Sequence, residues 1–433
     1  MEEIKVDIIM RNIIKPSSPT PEIQRNFKLS LIDQLTPEIY GATIFFYTPN
    51  NHNQIEIETT EMSKSLQESL SRILTKFYPM AGQFIDSSTI DCNDEGAYFF
   101  DAKVNCTIQQ VLEKPDPNFL KKLLPTEPKT VESCSRAVAI FQFTAFNCGG
   151  VSISASICHK MGDISTLSTF LQAWSSATIN TAGDVQTPEF IGGSLLPNRN
   201  LPIMTNAGLS RGKCRTQRLV FNGRKMAALR ARITDGRQAP SRVEAALAVI
   251  LKSAITCSRS LSGSTKAAIF FQTVNIRNRM NPPIGENSIG NLLWQFPVFM
   301  EEREIRLYEL VAKMRKEMAD FCINKASKLK GQEGLIEVMS SIGKWAIHLL
   351  TNRDIYRCSS WCRTPLYEAA DFGWGKPVWV SSAGQEMRNV IILVDTKDGS
   401  GVEAWVTLDE KEMDVFEKSD ELLQFASVNP SLI

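Results

Sequence analysis

Alternating apolar and polar positions mark two neighbouring strands in the first half of the chain. Residues 137–146, AVAIFQFTAF, and residues 151–157, VSISASI, both alternate with the period of two that is typical of strands. The four residues between them, Asn-Cys-Gly-Gly, predict a hairpin turn. The apolar positions then change to helical spacing, at Ile164, Leu167, Leu171 and Trp174. His159 therefore lies between a predicted strand and a predicted helix.

The remaining pattern mixes helices with antiparallel strands in both halves of the chain. Residues 66–77 carry apolar side chains at helical spacing and are followed by Pro79 and Gly82, which end the predicted helix. Ser241 and Glu244 form a predicted capping box at the start of a second helix, which follows a strand at QRLVF. The stretches NVIILVD and GVEAWVTL flank a turn, TKDGS. This order lacks a regular strand-helix-strand alternation and predicts the α+β class.

A long connection divides the chain into two parts. Residues 183–215 are rich in Gly, Pro and Asn and show little periodicity, which is typical of a linker. The length of 433 residues also exceeds the usual size of a single core. We therefore predict two domains, residues 1–190 and 216–433, joined by a linker over residues 191–215.

Composition and charge narrow the possible partners. The formal net charge is +1 and no basic stripe is present, so nucleic acid is not an expected partner. The first 21 residues carry acids and lack an uninterrupted apolar run, and no later run is long enough to span a bilayer, so we expect no membrane partner. The ten cysteines are scattered without a Cys-x-x-Cys pair. Together these features predict reduced thiols and a cytoplasmic protein.

His159 can be interpreted in two ways. It continues the parity of the apolar positions in 151–157, so an extended strand would leave its imidazole at least partly buried. A neutral imidazole held by one partner can accept a proton near neutral pH. Asp163, four residues on, is close enough to orient the ring or to cap the following helix. A core histidine beside a helix-capping aspartate is equally compatible with the local sequence.

Other candidate chemistry is weaker. His52 lies in a polar turn and His348 on an apparent helix, and we interpret both as structural. Three histidines and unclustered cysteines predict no metal site. No Gly-x-Ser-x-Gly run lies between a predicted strand and a predicted helix, which argues against a serine hydrolase. Cys158 is a nucleophile next to His159, but adjacent strand residues face opposite ways, so we expect it on the serine side of the strand and unpaired with the imidazole.

A second unusual stretch is DFGWGKP at residues 371–377. Its presence makes the combination of His159 with Asp163, four residues on, more specific for one protein family. Together the two motifs resemble the BAHD acyltransferases of plants, which use acyl-CoA thioesters to acylate alcohols and amines. The similarity extends over nearly the whole chain, through LSLIDQ, KFYPMAGQ, CHKMGD, VNIRNRMNPP, IGNLLW and SSWCRTPLYEAADFGWGKP. These forms look most like the branch of the family that contains vinorine synthase and the deacetylvindoline and salutaridinol acetyltransferases.

The resemblance implies a fold and a mechanism. The family fold has two domains like chloramphenicol acetyltransferase, with mixed sheets, joined by a crossover loop, and a channel between them holds the active site. Acyl-CoA would be a co-substrate and not a permanently bound cofactor, the second partner would be a small-molecule alcohol, and the protein would be a monomer. His159 would act as general base in a ternary complex. Ser359 and Trp361 would contact the oxyanion that forms on the reacting carbonyl, or Trp361 would be a packing residue.

Further site residues follow from the same resemblance. Asp163 would pair with an arginine, Arg277 in the first place and Arg279 in the second, and so hold the histidine loop. The DFGWG motif would be scaffolding near the coenzyme, through Asp371, Gly373, Trp374 and Gly375. Coenzyme contacts would come from Ser241, Arg242 and Asn291, for which capping or loop structure is the alternative interpretation.

The resemblance leaves the substrate less defined than the chemistry. Gln83 stands where relatives often have Arg, and Gly162 where many have Ala, yet neither change removes the general base. The branch similarity favours acetyl transfer to an alkaloid hydroxyl, with an acylsugar or another small alcohol or amine as the alternative acceptor. A non-acylating binding protein or an isomerase-like enzyme on the same scaffold is the alternative of another class.

Overall fold

Two mixed β-sheets, each with its own apolar core, organise the chain in the computed structural model. Strands and helices follow one another in both halves without a regular strand-helix-strand repeat, and the predicted class is confirmed. The structure describes residues 3–49, 55–125, 137–179, 185–199, 212–234, 238–301, 304–349, 353–384 and 387–433.

The first part of the chain supplies most of the first sheet and a small second one. Its strands are β1 (Val6–Ile14), β2 (Asn26–Lys28), β3 (Tyr40–Tyr47), β4 (Gln83–Asp86), β5 (Thr89–Asp91), β6 (Ala97–Val104), β7 (Ala139–Phe146) and β8 (Val151–Cys158). Its helices are α1 (Leu31–Leu35), α2 (Ile55–Lys76), α3 (Ile108–Glu113), α4 (Pro117–Lys122), α5 (Ile164–Ile179) and α6 (Gly192–Leu195). Short 3₁₀ turns lie at Glu22–Gln24 and Tyr78–Ala81.

The second part of the chain supplies the second sheet and one strand of the first. Its strands are β9 (Cys214–Phe221), β10 (Ala268–Asn275), β11 (Leu293–Met300), β12 (Asp354–Ser360), β13 (Trp379–Ser382), β14 (Val390–Asp395), β15 (Val402–Asp409) and β16 (Ser427–Val428). Its helices are α7 (Gly223–Thr234), α8 (Arg242–Ser262), α9 (Leu307–Asp320), α10 (Gly331–Leu349), α11 (Leu366–Ala369), α12 (Glu410–Phe416) and α13 (Asp420–Phe425). Shorter helical turns lie at Arg277–Arg279, Phe321–Lys325 and Ala326–Lys328.

Both large sheets combine parallel and antiparallel pairs. The first has the order β1-β6-β7-β8-β3-β13, in which only the β6–β7 pair is parallel. The second has the order β11-β10-β12-β14-β15-β9-β16, with parallel pairs on both sides of β12. The small sheet, β2-β5-β4, is antiparallel.

One strand of the second half belongs to the first sheet. β13 pairs antiparallel with β3, in the register Trp379 opposite Phe46. The Trp379 ring also stacks on Phe46 at 5.1 Å between centroids. The chain therefore crosses back to the first sheet within residues that the predicted division assigns to the second domain, and the boundaries at 190 and 216 stay a prediction.

The local predictions agree with the observed elements. β7 and β8 form the predicted antiparallel hairpin, with Gly149 at a φ of 82° in its turn. Ser241 caps α8 through the predicted box with Glu244, and β14 and β15 form the second hairpin. α6 and the start of β9 lie inside the predicted linker, while its residues 200–211 fall outside the described part of the chain, as does His52.

α8 is the described helix that meets the length and hydropathy expected of a membrane span, with a mean hydropathy of 1.2. Of the apolar 18-residue stretch of this helix, 67% is buried, and the apolar residues of the helix form the centre of the second core. This burial is typical of a core helix in a folded domain.

Candidate active site

His159 lies in the turn that joins β8 to α5. β8 ends at Cys158, and the His159 backbone N–H donates to the carbonyl of Ile39 at 2.7 Å. The side chain is partly buried, as the strand parity predicts. The ring is therefore held at the end of the first sheet and keeps some access to solvent.

Asn291, in the loop before β11, holds the imidazole from the second half of the chain. Its Oδ1 lies 3.1 Å from His159 Nδ1, and its Nδ2 donates to the His159 carbonyl at 2.6 Å. The same Nδ2 donates to Asp33 Oδ1 at 2.8 Å. Since both partners of Nδ2 can only accept, the orientation of the amide is determined by its surroundings.

This orientation also determines the tautomer of the histidine. Asn291 presents only its carbonyl oxygen to Nδ1, so Nδ1 must carry the proton. The unprotonated Nε2 is then the basic atom of the ring. An imidazole in this state can take a proton at Nε2, while its Nδ1–H keeps its partner.

Asp33 is the buried carboxylate behind Asn291. Besides the side-chain amide it accepts the Asn291 backbone N–H at 2.8 Å, and its Oδ2 accepts from the N–H and hydroxyl of Ser30 at 3.0 and 2.6 Å. Burial raises the pKa of Asp33, and these hydrogen bonds oppose the rise. The carboxylate forms the capping box of α1 and therefore has a fixed position.

Asp163 points to an arginine, as the resemblance implies, and Arg277 is that arginine. Two hydrogen bonds join them, from Nη1 to Oδ2 at 2.7 Å and from Nη2 to Oδ1 at 3.1 Å. The side chains are only 8% and 1% exposed, respectively. Asp163 also accepts the backbone N–H of Thr166 at 2.9 Å and so caps α5. Both interpretations of this aspartate, an ion pair and a helix cap, are thus true at once.

The Asp163–Arg277 pair holds the loop that carries Asn291. Asp163 accepts the backbone N–H of Leu292 at 3.1 Å, next to Asn291. Arg277 donates to the Ser288 carbonyl at 2.8 Å, and the Thr166 hydroxyl donates to the Gly290 carbonyl at 3.0 Å. The ion pair therefore positions His159 indirectly, by fixing the asparagine that holds its ring.

The close approach of Thr166 leaves room only for a glycine at position 162. A Cβ at this position would lie 2.6 Å from the Thr166 Cβ, which is closer than real contacts allow. We expect Gly162→Ala to lower the free energy of unfolding by about 1–3 kcal/mol, since overpacking would displace Thr166 from Gly290. Urea denaturation measures the change.

The control for this variant is Gly343→Ala, because Gly343 lies in α10 with open space where the Cβ would go. A gain of about 0.5–1 kcal/mol is expected there from the better helix propensity of alanine. Equal effects of the two substitutions would contradict the steric explanation.

Ser359 and Trp361 lie at the end of β12, where the two domains meet. Ser359 pairs with Ile392, a residue of the first core, although both strands belong to the second sheet. Trp361 is 8% exposed and also packs in the first core, and its backbone N–H donates to Leu393 at 2.7 Å. The packing alternative for Trp361 is thus part of its observed environment, and the oxyanion contact stays a prediction.

The DFGWG motif belongs to the second half of the chain and forms a tight loop that packs against the core of the first domain. The Asp371 carboxylate accepts the backbone N–H groups of Gly373 and Gly375 at 3.1 and 3.2 Å, and both glycines have φ near +100°, at 101° and 99°. Phe372 packs against Trp174 of α5, and Trp374 against Tyr47 of β3. The motif is a scaffold in this structure, and its contact with the coenzyme stays a prediction.

Arg242, a predicted coenzyme contact, is engaged within the protein. It forms an ion pair with Asp395 at 2.9 Å and donates to the carbonyls of Gly399 and Gly401. Asp395 also accepts the backbone N–H of Arg363 at 2.7 Å, close to the end of β12. The start of α8 therefore lies near the Ser359–Trp361 segment, with Ser241 occupied as the helix cap.

Asn291 has a structural role that its sequence-based interpretation did not include. It is 1% exposed, and its side-chain amide and backbone N–H serve His159 and Asp33, whereas its contact with the coenzyme stays a prediction. Sequence reasoning missed this role and did not consider Asp33. The Ser30-x-x-Asp33 capping pattern was the available signal for a fixed carboxylate, but it does not reveal the distant partner.

Cys158 is buried and packs in the first apolar core. The serines of β8 are themselves buried, so both faces of this strand are covered. Desolvation raises the pKa of the Cys158 thiol to about 12. The thiol is therefore protonated at neutral pH and unsuited to nucleophilic attack.

In the part of the chain that the structure describes, no cluster of three potential metal ligands occurs.

Comparison with known proteins agrees with this architecture. A family model described as Transferase family matches residues 4–423. Akuammiline synthase 1 of Alstonia scholaris is 34% identical over 426 residues, covering 97% of both chains. A limonoid 21-O-acetyltransferase of Melia azedarach is 33% identical, covering 98% of this chain and 99% of the relative. The crystal structure of vinorine synthase superposes with a TM-score of 0.82 at 29% identity, covering 99% of this chain and all of that one.

Proposed function

Because the chain belongs to the BAHD family of plant acyltransferases, we propose that it transfers acetyl from acetyl-CoA to a hydroxyl group of an alkaloid, with His159 as general base. The observation that carries this proposal is the geometry around the imidazole. Asn291 holds the Nδ1–H and Asp33 holds Asn291, which leaves Nε2 free to take the proton of an alcohol.

The reaction then needs no acyl-enzyme. Nε2 accepts the hydroxyl proton while the alcohol oxygen forms a bond to the thioester carbonyl carbon. The tetrahedral oxyanion collapses, the carbon–sulfur bond breaks, and the imidazolium returns its proton to the leaving thiolate. Asn291 Oδ1 stabilises the imidazolium through Nδ1–H, and Asp33 keeps the Asn291 amide in this orientation. Ser359 and Trp361, by analogy with the family, contact the oxyanion.

Relatives support the acetyl donor and suggest two acceptor classes. The name of the Melia azedarach relative specifies O-acetyl transfer to a limonoid, so a terpenoid hydroxyl is the second candidate acceptor. The structural similarity to vinorine synthase supports the alkaloid acceptor. The test crosses acetyl-, malonyl- and longer acyl-CoA donors with alkaloid, limonoid and sugar acceptors and detects products by mass spectrometry, with His159→Ala as the negative control. Acetylation of limonoids or sugars alone would reject the alkaloid acceptor.

Direct transfer also predicts the behaviour of a Cys158 variant. Cys158→Ala should keep kcat within about threefold of the wild type, because a protonated core thiol contributes nothing to the chemical step. Steady-state kinetics should show intersecting and not parallel lines when both substrates are varied. A stable acyl adduct on Cys158 after mixing with acetyl-CoA alone, seen by intact-protein mass spectrometry, would contradict the ternary-complex mechanism.

A further inference from the structure

Arg357 has its side chain on the face of the second sheet that is turned towards the first domain. Its strand neighbours Tyr356 and Cys358 are buried in the second core, so Arg357 and Ser359 point the other way. In the sheet Ser359 lies opposite Ile392, which belongs to the first core. Arg357 therefore shares a face with the residues through which the two domains meet.

The guanidinium of Arg357 has no anionic partner among the described residues. It lies over the ring of Phe271 on β10, at 5.9 Å from the centroid, and no side-chain hydrogen bond or ion pair joins it to the described part of the chain. Burial lowers the pKa of Arg357, with no opposing effect of a nearby carboxylate. An arginine stays charged in such a place, so this partly exposed cation is balanced by no carboxylate of the described residues.

Two fully buried arginines of the described chain provide a comparison, whereas Arg357 is only partly buried. Arg218 and Arg277 are each 1% exposed in their side chains, and each has a carboxylate at 2.7 Å, from Glu403 and Asp163. Burying a cation costs free energy that a paired carboxylate offsets. Arg357 lacks such a carboxylate among the described residues, so a bound ligand is a natural source of the missing charge.

The position of Arg357 limits which part of a ligand can reach it. Ser359 lies two residues along the same strand and face, which corresponds to about 6.6 Å. In the proposed mechanism Ser359 lies beside the reacting carbonyl, so Arg357 is within the length of a small substrate from the reaction centre. The phosphates of coenzyme A are separated from the thioester by the long pantetheine arm and do not fit this position.

We propose that Arg357 binds a carboxylate group of a substrate, next to the reaction centre. The planar guanidinium fork matches a carboxylate through two parallel hydrogen bonds. The inference rests on the proposed acyl transfer and deepens it, because it specifies an acidic substrate. The carboxylate has two possible sources. One is an acceptor that carries an acid group, and the other is a dicarboxylic acyl donor such as malonyl-CoA, which would replace acetyl-CoA as the donor.

The experiment measures binding first, so that it does not depend on turnover. Titration calorimetry compares malonyl-CoA with acetyl-CoA in one arm. In the other arm it compares alkaloid carboxylic acids with their methyl esters, added to enzyme saturated with coenzyme A. The proteins are the wild type, Arg357→Gln and Arg353→Gln. Arg353 is the matched control, because it lies just before β12 and pairs with Glu301 at 3.0 Å.

The wild type should favour the carboxylate ligand by about tenfold or more in one of the two arms, which identifies its source. Arg357→Gln should remove that preference, and Arg353→Gln should keep it. The melting temperature of Arg357→Gln should equal or exceed that of the wild type, because an unpaired cation is lost. No preference in either arm, or a preference that survives in Arg357→Gln, would overturn the proposal.

The kinetic result separates this proposal from the one on which it rests. If the wild type transfers acetyl groups to neutral acceptors and shows no carboxylate preference, acyl transfer stands and the role of Arg357 fails. If it binds carboxylates through Arg357 and transfers no acyl group with any donor and acceptor, the proposed function fails and the binding site remains.

Discussion

His159→Ala is expected to lower kcat by about 10²–10⁴-fold, because the variant loses the base that takes the acceptor proton. The loss should appear in the chemical step, so single-turnover rates should fall with kcat while the affinity for acetyl-CoA changes little. The basis of this expectation is the hydrogen bond between Nδ1 and Asn291, which leaves Nε2 as the free basic atom. The measurement is the rate of thiol release from acetyl-CoA with the acceptor found in the substrate panel.

A matched control and a companion variant sharpen the test. His348→Ala removes a histidine that contacts the ring of Phe299 on another part of the second domain, and it should keep kcat near the wild-type value. Asn291→Leu keeps Nε2 but removes the acceptor for Nδ1–H, so it should lower kcat by less than His159→Ala and change its pH profile. A folded His159→Ala protein with wild-type turnover would exclude this residue as the base.

Asp163→Ala is expected to lower the free energy of unfolding by about 3–5 kcal/mol, since it leaves the buried Arg277 without its carboxylate. The same change releases the loop that carries Asn291, because Asp163 also binds the Leu292 backbone. The kcat of the folded protein should therefore fall as well, by about 10²-fold, as expected for a misplaced catalytic group. Urea denaturation gives the first quantity and thiol release the second.

A second buried ion pair provides the control for this variant. Arg218 and Glu403 are as buried as Arg277 and Asp163, but Glu403 lies on β15 and contacts Trp379 and not the histidine loop. Glu403→Ala should destabilise the protein by a similar amount and leave the kcat of the folded fraction nearly unchanged. Lost turnover with an unchanged unfolding free energy in Asp163→Ala would instead support a direct catalytic role for this carboxylate.

The pair formed by His159 and Asp163, four residues apart, shows the limit of a local motif. The sequence places His159 at a strand end and Asp163 at a helix start, and both positions are observed. The spacing suggests that the aspartate could orient the histidine, since the two lie four residues apart. In the structure the aspartate acts on the histidine through Arg277, Leu292 and Asn291, because the helix cap turns its carboxylate towards the second domain.

The resemblance to a family supplied the proposed general base and the arginine partner, and the geometry then added a role for one further residue. Asn291 was a predicted coenzyme contact, and the structure shows that its side-chain amide holds His159 and Asp33. A polar residue in a loop, such as Asn291 after Gly290, has many possible partners, and the choice among them depends on how the two domains approach. That approach is not encoded in any short stretch.

The sequence by itself determined the local elements and the chemical type of the site. Periodicity and turn residues predict the β7–β8 hairpin, α5 and the capped start of α8, because strand alternation and helix capping involve neighbours along the chain. Only the tertiary structure decided what surrounds them. Asn291 meets His159 across 132 residues and Asp33 across 258, and β13 crosses to the first sheet. That no described carboxylate pairs with Arg357 likewise depends on which side chains two packed domains bring near it, and that packing is a property of the whole chain.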